Sequence, residues 1–256
     1  MNYMIWDKLT YEETSKINKN LPVLILLCAT EQHGPHLPLS TDRLIGEHFI
    51  HELNRHAEDK FILLPTIPIG CSDHHMDFEG TLTFRHTTLK KIIHEMVKSM
   101  ISHEFNNFLF LNSHGGNQGI GQVILETLGN KYKHCHFNLI TWWKLASSDL
   151  KKINDSGPGG TGHAGEFETS LMLHIAPELV HKDKIKSPSD QKFDPLIGDM
   201  INPPSISYFQ TIKMMSENGV VGNPSFSSVE KGQKISNVIT SKLLDLLNNL
   251  KSIDKL

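Results

Sequence analysis

An uninterrupted apolar run at residues 23–29 leads directly into a segment of acids and histidines at residues 31–42. The run has neither charge nor polar alternation, which is typical of a strand buried on both faces in a parallel sheet. Side chains two apart at the end of an extended strand point to the same side, so Glu31 and His33 can converge on one point. Asp42 follows near the first turn of a predicted helix. An open α/β sheet places its chemistry at such a strand end.

A second predicted strand ends in a similar way. The apolar residues 108–111 run directly into Asn112–Asn117, in which His114 stands just past the strand end. Gly115 and Gly116 would let a ligand approach the backbone closely, and their amides could form an anion-binding nest at the start of the next helix. We therefore predict that these glycines line a substrate pocket.

A third candidate segment follows a stretch that is rich in glycine. Residues 154–162 cannot hold regular structure and have the composition of a mobile lid or hinge. The stretch leads to His163 and to a helix that we expect to end near Ile175. Glu166 shares a face of that helix with Ser170, one turn later. Acids in a first turn are favoured by the helix dipole whatever their role, so the alternative for Glu166 is a purely structural one.

The elements between these segments alternate along the chain. Periodicity predicts strands at 22–29, 61–64, 108–111 and 137–141, and helices at 9–19, 42–56, 89–101, 118–130, 163–175 and from about residue 230. Thr10 and Glu13 have the spacing of a capping box for the first helix. We predict a long loop at 70–81 and irregular cover at 183–227. Because no linker demands a second domain, we expect one domain over residues 1–256.

The candidate donors form a mixed set of carboxylates and imidazoles, namely Glu31, His33, Asp42, His114 and Glu166. Two first-row ions suit such a set better than one, because one bridging carboxylate would leave open positions for water on both. Two ions about 3.5–4 Å apart form the clamp that many hydrolases use. Zinc, manganese and iron(II) all accept these donors. The alternative for the first segment is an ordinary surface loop whose last acid caps a helix.

Composition disfavours several classes of partner. The net charge of −3 and the pI near 6.6 give no electrostatic reason for binding nucleic acid or an anionic membrane. No apolar run approaches the ~20 residues that span a bilayer, and the first residues lack a basic region followed by an apolar one. We therefore expect a cytoplasmic protein that acts on a small molecule.

Cys28, Cys71 and Cys135 lie far apart, in or beside apolar strands, and are expected to be buried thiols.

The three motifs together resemble the signatures of the creatininase (creatinine amidohydrolase) family. The matching segments are Glu31–Pro38 with Thr41–Asp42, Asn112–Asn117, His163–Ser170 and, more weakly, Gly219–Pro224 with Glu230–Gly232. The resemblance implies a three-layer α/β/α fold with a mostly parallel sheet, and hydrolysis of C–N bonds in amides or cyclic amides by a hydroxide that bridges two metal ions. It also implies a homo-oligomer, commonly a hexamer, and two divalent ions per chain. As the metal we favour zinc over manganese or iron.

The resemblance assigns a role to each donor. It implies that Glu31 and His114 bind one ion, that His33 and Glu166 bind the other, and that Asp42 is the shared ligand. In creatininase itself the second-motif histidine is followed by Tyr and a ligating Glu, and here those positions hold Gly115 and Gly116. We assign the missing carboxylate to Glu166, because the branch of the family with His-Gly-Gly-Asn also carries His-Ala-Gly-Glu. Glu168 lies roughly 200° around the same helix, so we expect it to face away and fix the helix.

The resemblance also bears on the substrate and the proton donor. The pocket acid of creatininase corresponds to Gly162 here, which argues against creatinine, whereas Glu79 adds an acid that favours a cationic or amine-bearing substrate. Trp143 is a further candidate wall of the pocket; the alternative is that two adjacent tryptophans divide between core and surface. His163 is the expected proton donor to the leaving nitrogen, with His75 as the second candidate.

Alternative functions stay open within and outside the family. The branch includes a formamide deformylase of flavin biosynthesis and a peptidase of mycofactocin maturation, as alternatives to hydrolysis of a non-peptide or cyclic amide. A deformylase would need a phosphate site, for which the glycine nest and Arg43 or Arg85 are candidates. A metal-bound binding protein without turnover is disfavoured, because a degenerate relative usually loses a ligand first.

Overall fold

The computed structural model describes residues 5–57, 59–187, 198–207 and 209–253, with side chains described as far as residue 249. Its strands are β1 (Val23–Leu27), β2 (Ile62–Leu63), β3 (Asn107–Asn112) and β4 (His136–Thr141). Within the described residues they form one parallel sheet in the order β2-β1-β3-β4. Every residue of β1 and of β3 is buried, as their unbroken apolar runs predict.

Helices separate the strands along the chain. They are α1 (Tyr11–Lys16), α2 (Thr41–His56), α3 (His86–Ser102), α4 (Asn117–Lys131), α5 (Trp142–Leu145), α6 (Ser147–Ile153), α7 (Glu166–Ile175), α8 (Ile212–Met215) and α9 (Val229–Ile253). Short 3-10 turns span Trp6–Lys8, Asp73–His75, Pro177–Leu179, Lys182–Lys184 and Pro224–Phe226. The predicted capping box of α1 is present, since Thr10 and Glu13 exchange bonds between side chain and backbone. In the described part of the chain no helix combines the length and the apolarity that crossing a bilayer requires.

Helices cover both faces of the sheet. Alternate residues of β1 point to opposite faces, so Leu24 and Leu26 belong to a core cluster with residues of α2, α7 and α9. Val23 and Ile25 belong to a second cluster with residues of α3 and α4. Each buried aliphatic side chain of this kind contributes about 1.5–3 kcal/mol. The predicted three-layer α/β/α arrangement around a parallel sheet is confirmed.

The carboxyl ends of β1 and β3 are neighbours in the sheet. Leu27 pairs with Asn112 in the parallel register, so the loops that follow these strands leave the same edge. The loop after β1 leads into α2, and the loop after β3 leads into α4. Donors on these loops are therefore brought together by the sheet itself.

Some elements differ from the predicted pattern. Periodicity predicts nothing for residues 142–153, yet they form α5 and α6, with Leu150 as the buried residue of α6. Helices of four and seven residues are too short to show an apolar repeat. The predicted irregular segment 183–227 contains α8 and the turn at Pro224–Phe226. Within that segment, residues 188–197 and 208 lie outside the described residues.

Candidate metal centre

Glu31, Asp42 and His114 meet at the edge where β1 and β3 end. The Nδ1 atom of His114 lies 3.3 Å from Glu31 Oε1 and 3.0 Å from Asp42 Oδ2. Local bonds fix the loops: Asn112 Nδ2 donates to the carbonyl of His114 at 2.8 Å, and the Glu31 N–H donates to the carbonyl of Leu39 at 3.0 Å. All three donor side chains are buried. One donor atom from each lies within 4.8 Å of the others, so the three could hold a metal ion.

A second group of donors shares Asp42. His33 Nε2 lies 3.2 Å from Asp42 Oδ1 and 3.8 Å from Glu168 Oε2. The other ring nitrogen of His33 donates to the Glu31 carbonyl at 3.1 Å, which directs Nε2 toward the carboxylates. Asp42 therefore presents Oδ2 to the first group and Oδ1 to the second. A carboxylate placed in this way can bridge two ions.

Several buried polar atoms of this cluster lack a hydrogen bond. Among the described residues, Glu31 Oε2, His33 Nε2 and Asp42 Oδ2 make no hydrogen bond of good geometry. A buried polar atom that makes no hydrogen bond costs roughly 1–3 kcal/mol. Carboxylate oxygens and imidazole nitrogens are the ligands that zinc, manganese and iron(II) accept in proteins. The residues present therefore fit divalent metal ions.

The donors shift one another's pKa. Burial alone would lower the pKa of His33, but the carboxylates of Asp42 and Glu168 outweigh it and raise that pKa well above its ordinary value. Burial would also lower the pKa of His114, but Glu31 and Asp42 outweigh it and raise that pKa well above its ordinary value. Burial would raise the pKa of Asp42, but His33 and His114 hold it below its ordinary value. Without metal, protons therefore occupy the imidazoles, and metal binding has to displace them.

Glu168 joins the cluster, and the predicted ligand Glu166 does not. The carboxylate of Glu166 instead accepts bonds from the backbone N–H groups of Asp155 at 2.9 Å and Ser156 at 3.0 Å. Glu168 Oε2 accepts a bond from the Ala164 N–H at 2.6 Å and faces the cluster. The two acids of the first turn of α7 point to different sides, as their spacing requires, but with the roles exchanged. The predicted placement of Glu166 is wrong.

Ser170 explains the error. It shares a face of α7 with Glu166, and its side chain is fully buried. Its hydroxyl donates to the Glu166 carbonyl at 2.6 Å and accepts from the Ser228 N–H at 3.2 Å, just before α9. The polar stripe through Glu166 and Ser170 therefore faces the start of α9. Nothing local to the motif distinguishes the two acids, because the contact that orients them comes from a distant segment.

His163 and His75 lie beside the cluster, and both contact Gln32. The Nε2 atom of His163 donates to the Gln32 carbonyl at 2.7 Å, so its Nδ1 faces Glu31 Oε1 at 3.7 Å. The Gln32 side chain donates to His75 Nδ1 at 3.0 Å, so His75 Nε2 carries the proton and faces Glu31 Oε1 at 3.3 Å. The side chain of His163 is 14% exposed, whereas that of His75 is 2% exposed. Burial lowers the pKa of both rings. Gln32 is not among the predicted site residues, although its place between two donors was an available signal.

The predicted pocket residues have different surroundings. Gly115 and Glu79 are exposed, and their role in a pocket stays a prediction. Gly116 packs against the Cys71 carbonyl, which lies where a Cβ would stand, so packing alone requires glycine there. Trp143 lies in the core, 4% exposed, with its ring centroid 5.3 Å from that of the neighbouring indole. The placement of Trp143 in a pocket wall is therefore corrected, because an indole enclosed in this way has no face left for a substrate.

Comparison with known proteins gives matches over most of the chain. The family model described as creatinine amidohydrolase (Creatininase) matches residues 7–247. A mycofactocin precursor peptide peptidase of Mycobacterium tuberculosis is 28% identical over 221 residues, which cover 83% of this chain and 79% of the relative. A creatinine amidohydrolase of Pseudomonas putida is 22% identical over 234 residues, which cover 86% and 85% of the two chains.

Solved structures share the fold. A structure described as creatininase Mn has a TM-score of 0.82 at 19% identity, and covers 97% of this chain and 98% of its own. A creatininase variant described as Zn-Zn type gives a TM-score of 0.82 at 19% identity, with coverage of 97% and 98%. At this identity the likeness shows the fold alone, and that fold is the α/β arrangement described above.

Proposed function

This chain belongs to the creatinine amidohydrolase (creatininase) family, and from that premise we propose that it cleaves the C–N bond of an amide with two divalent metal ions. The observation that carries this proposal is the pair of buried donor groups that share Asp42. Both groups offer only carboxylate and imidazole atoms, and three of those atoms have no hydrogen bond among the described residues. A pair of ions with a shared carboxylate is suited to hydrolysis.

We assign the donors of the cluster to two ions. One ion would be held by Glu31, Asp42 and His114, and the other by His33, Asp42 and Glu168. When bound, such ions polarise a carbonyl and lower the pKa of water toward neutrality. The surrounding residues fix the orientation of the donors: His75 Nε2–H faces Glu31 Oε1 at 3.3 Å, and the Glu31 carbonyl holds the His33 ring.

His163 is the residue that we assign to proton transfer. Its Nε2–H is anchored on the Gln32 carbonyl, so the lone pair of Nδ1 faces the cluster. Because the N–H of His163 is at Nε2, the lone pair of Nδ1 is available to accept a proton. As the water oxygen bonds to the carbonyl carbon, Nδ1 takes the proton that the water loses. The proton then passes to the leaving nitrogen as the C–N bond breaks.

We favour a peptide amide as the substrate class. The peptidase of Mycobacterium tuberculosis is 28% identical to this chain, whereas the creatininase of Pseudomonas putida is 22% identical. We take Met76, which directly follows His75 in the chain and is 52% exposed, as a candidate contact for such a substrate. A flexible methionine can contact apolar side chains of varied shape, as a peptide substrate would present.

A substrate screen tests the proposal. The chain is stripped with a chelator, reloaded with Zn²⁺, Mn²⁺ or Fe²⁺, and assayed against short peptides, formamides, creatinine and other cyclic amides. We expect hydrolysis of peptides by the metal-loaded protein only, and two ions per chain by elemental analysis. Asp42→Ala should abolish both, whereas Asp149→Ala, a control on the surface of α6, should change neither. Hydrolysis that survives Asp42→Ala, or none with any substrate and metal, would sink the proposal.

A further inference from the structure

The carboxylate of Glu166 is buried at the first residue of α7 and is surrounded by donors. Backbone N–H groups of Asp155 and Ser156 donate to it at 2.9 and 3.0 Å. The Ser156 hydroxyl and the Lys231 ammonium also bond to it. A carboxylate offers about four lone-pair sites, and these four donors occupy them. Glu166 is therefore an ionic anchor with no capacity left for a metal ion.

Lys231, near the start of α9, is the cation of this anchor. Its side chain is 9% exposed, and its ammonium contacts the Glu166 carboxylate, Asp155 Oδ2 at 2.7 Å and the Phe226 carbonyl at 2.8 Å. An ammonium has three N–H donors, so all of them are used. Asp155 is 69% exposed, whereas Glu166 is buried, so Glu166 is the partner that compensates the buried charge.

The anchor holds the beginning of the glycine-rich loop, residues 154–162. Gly157 and Gly159 have φ angles of +72° and +86°, in the left-handed region that favours glycine. Glycine loses more conformational entropy on ordering than other residues, so such a loop needs fixed points. The Glu166 carboxylate fixes its start, and the Glu166 N–H donates to the Gly160 carbonyl at 3.1 Å near its end.

Both ends of this arrangement lead to the metal centre. The loop runs directly into His163, whose Nδ1 faces the cluster. Two residues after Glu166, Glu168 contributes its carboxylate to the second donor group. We propose that Glu166 and Lys231 are positioning residues, whose buried ion pair holds the loop 154–162 so that His163 stands at the metals. This role rests on the function proposed above for the same site.

Lys231→Met is the informative variant, because it removes the charge and keeps the length and apolar stem of the side chain. Glu166 then retains its three donors from the loop. Glu166→Gln alone would leave a buried ammonium with a weaker set of acceptors, which destabilises the folded chain. The double variant Glu166→Gln/Lys231→Met removes both charges and serves as a second test. Lys242→Met is the matched control: it lies on α9 too, and its ion pair with Asp149 at 3.4 Å is partly exposed.

Amide hydrogen exchange on the Zn²⁺-loaded proteins measures how firmly the loop is held. In Lys231→Met we expect exchange over residues 155–163 to rise about 10-fold or more, with exchange in β1 and β3 unchanged. Elemental analysis should still find the same zinc content as in the unmodified chain. With the substrate found in the screen, kcat should fall by up to about 10²-fold, and KM should move much less, because misplaced reacting groups cost rate. Lys242→Met should match the unmodified chain in all of these measurements.

The outcomes separate this proposal from the proposed function. Unchanged exchange over residues 155–163 in folded Lys231→Met overturns the positioning role, whatever the activity. Loss of zinc without faster exchange also overturns it, since the pair would then support the ligands and not the loop. If Lys231→Met does not fold, hydrogen exchange and zinc content of the double variant decide whether the positioning role holds. A screen that finds no substrate contradicts the proposed function alone, because hydrogen exchange does not depend on turnover.

Discussion

Glu168 is the residue on which the proposed second ion depends most directly. Its Oε2 lies 3.8 Å from His33 Nε2, in a group that otherwise contains only His33 and Asp42. Glu168→Gln should lower the metal content from two ions to one, because the group of Glu31, Asp42 and His114 is untouched. Hydrolysis should fall on the order of 10²-fold or more, because the second ion is lost.

Elemental analysis of the dialysed protein checks this expectation, and Glu178→Gln, an exposed site on the turn after α7, is the matched control. Glu168→Gln protein that retains both ions would show that its carboxylate is not a ligand.

His163 and His75 should behave differently when each is replaced. Loss of His163 removes the open Nδ1 next to Glu31 but no bond that holds a proposed ligand. We expect His163→Ala to keep its metal and to lose about 10²–10⁴-fold in turnover. His75 faces Glu31 Oε1 at 3.3 Å, so His75→Ala should weaken metal affinity about 10- to 100-fold. Metal titration and steady-state kinetics on both variants separate the roles, and metal loss in His163→Ala would make it a ligand.

At the scale of elements, His48 connects α2 with α7 and α9. Its Nε2 contacts the Ser236 hydroxyl at 2.7 Å, and its ring lies 5.7 Å from that of His174. Burial lowers the pKa of His48 to about 4. As the pH falls, His48 therefore binds a proton near pH 6.5 in the unfolded chain but only near pH 4 in the folded chain. Stability contributed at neutral pH is lost as the pH falls through this window.

His48→Asn should reduce that loss by about 1–2 kcal/mol, after allowance for the partial exposure of the ring. Urea unfolding of the metal-free protein at pH 7 and pH 4.5 measures the difference. His56→Asn, at the exposed end of α2, is the control and should leave the difference unchanged. Equal pH dependence in His48→Asn and the unmodified chain would contradict the assignment.

The order of elements could be predicted because the buried strands are unbroken apolar runs. Those runs also predict where Glu31 and His114 meet, since β1 and β3 pair as far as Leu27 and Asn112. The short helix α6 could not be predicted, because only Leu150 of its residues is buried. The orientation of α7 could not be predicted either. It depends on a contact between Glu166 and Lys231, which no local pattern reveals.

At the scale of the whole molecule, the proposed ligands come from four separate segments: the loop after β1, the start of α2, the loop after β3 and α7. Metal ions bound by all four would tie the sheet edge to helices of one layer. Ions that bind the folded chain alone stabilise it by about 2.7 kcal/mol when the free metal is 100 times Kd. For a chain of this size that corresponds to a rise in Tm of about 5–10 °C.

The stabilisation by metal should shrink as the pH falls, because metal ions compete with the protons on His33 and His114. The carboxylates around these imidazoles raise the pKa of each well above its ordinary value, although burial opposes that change. Metal binding therefore releases protons, and the apparent metal affinity falls as those protons become harder to displace. Calorimetric scans with Zn²⁺ and with a chelator should differ in Tm more at pH 8 than at pH 6. Asp42→Ala, which removes the shared ligand, should abolish the difference at both pH values. A chelator that leaves the Tm of the unmodified chain unchanged at pH 8 would show that metal binding is not coupled to the fold.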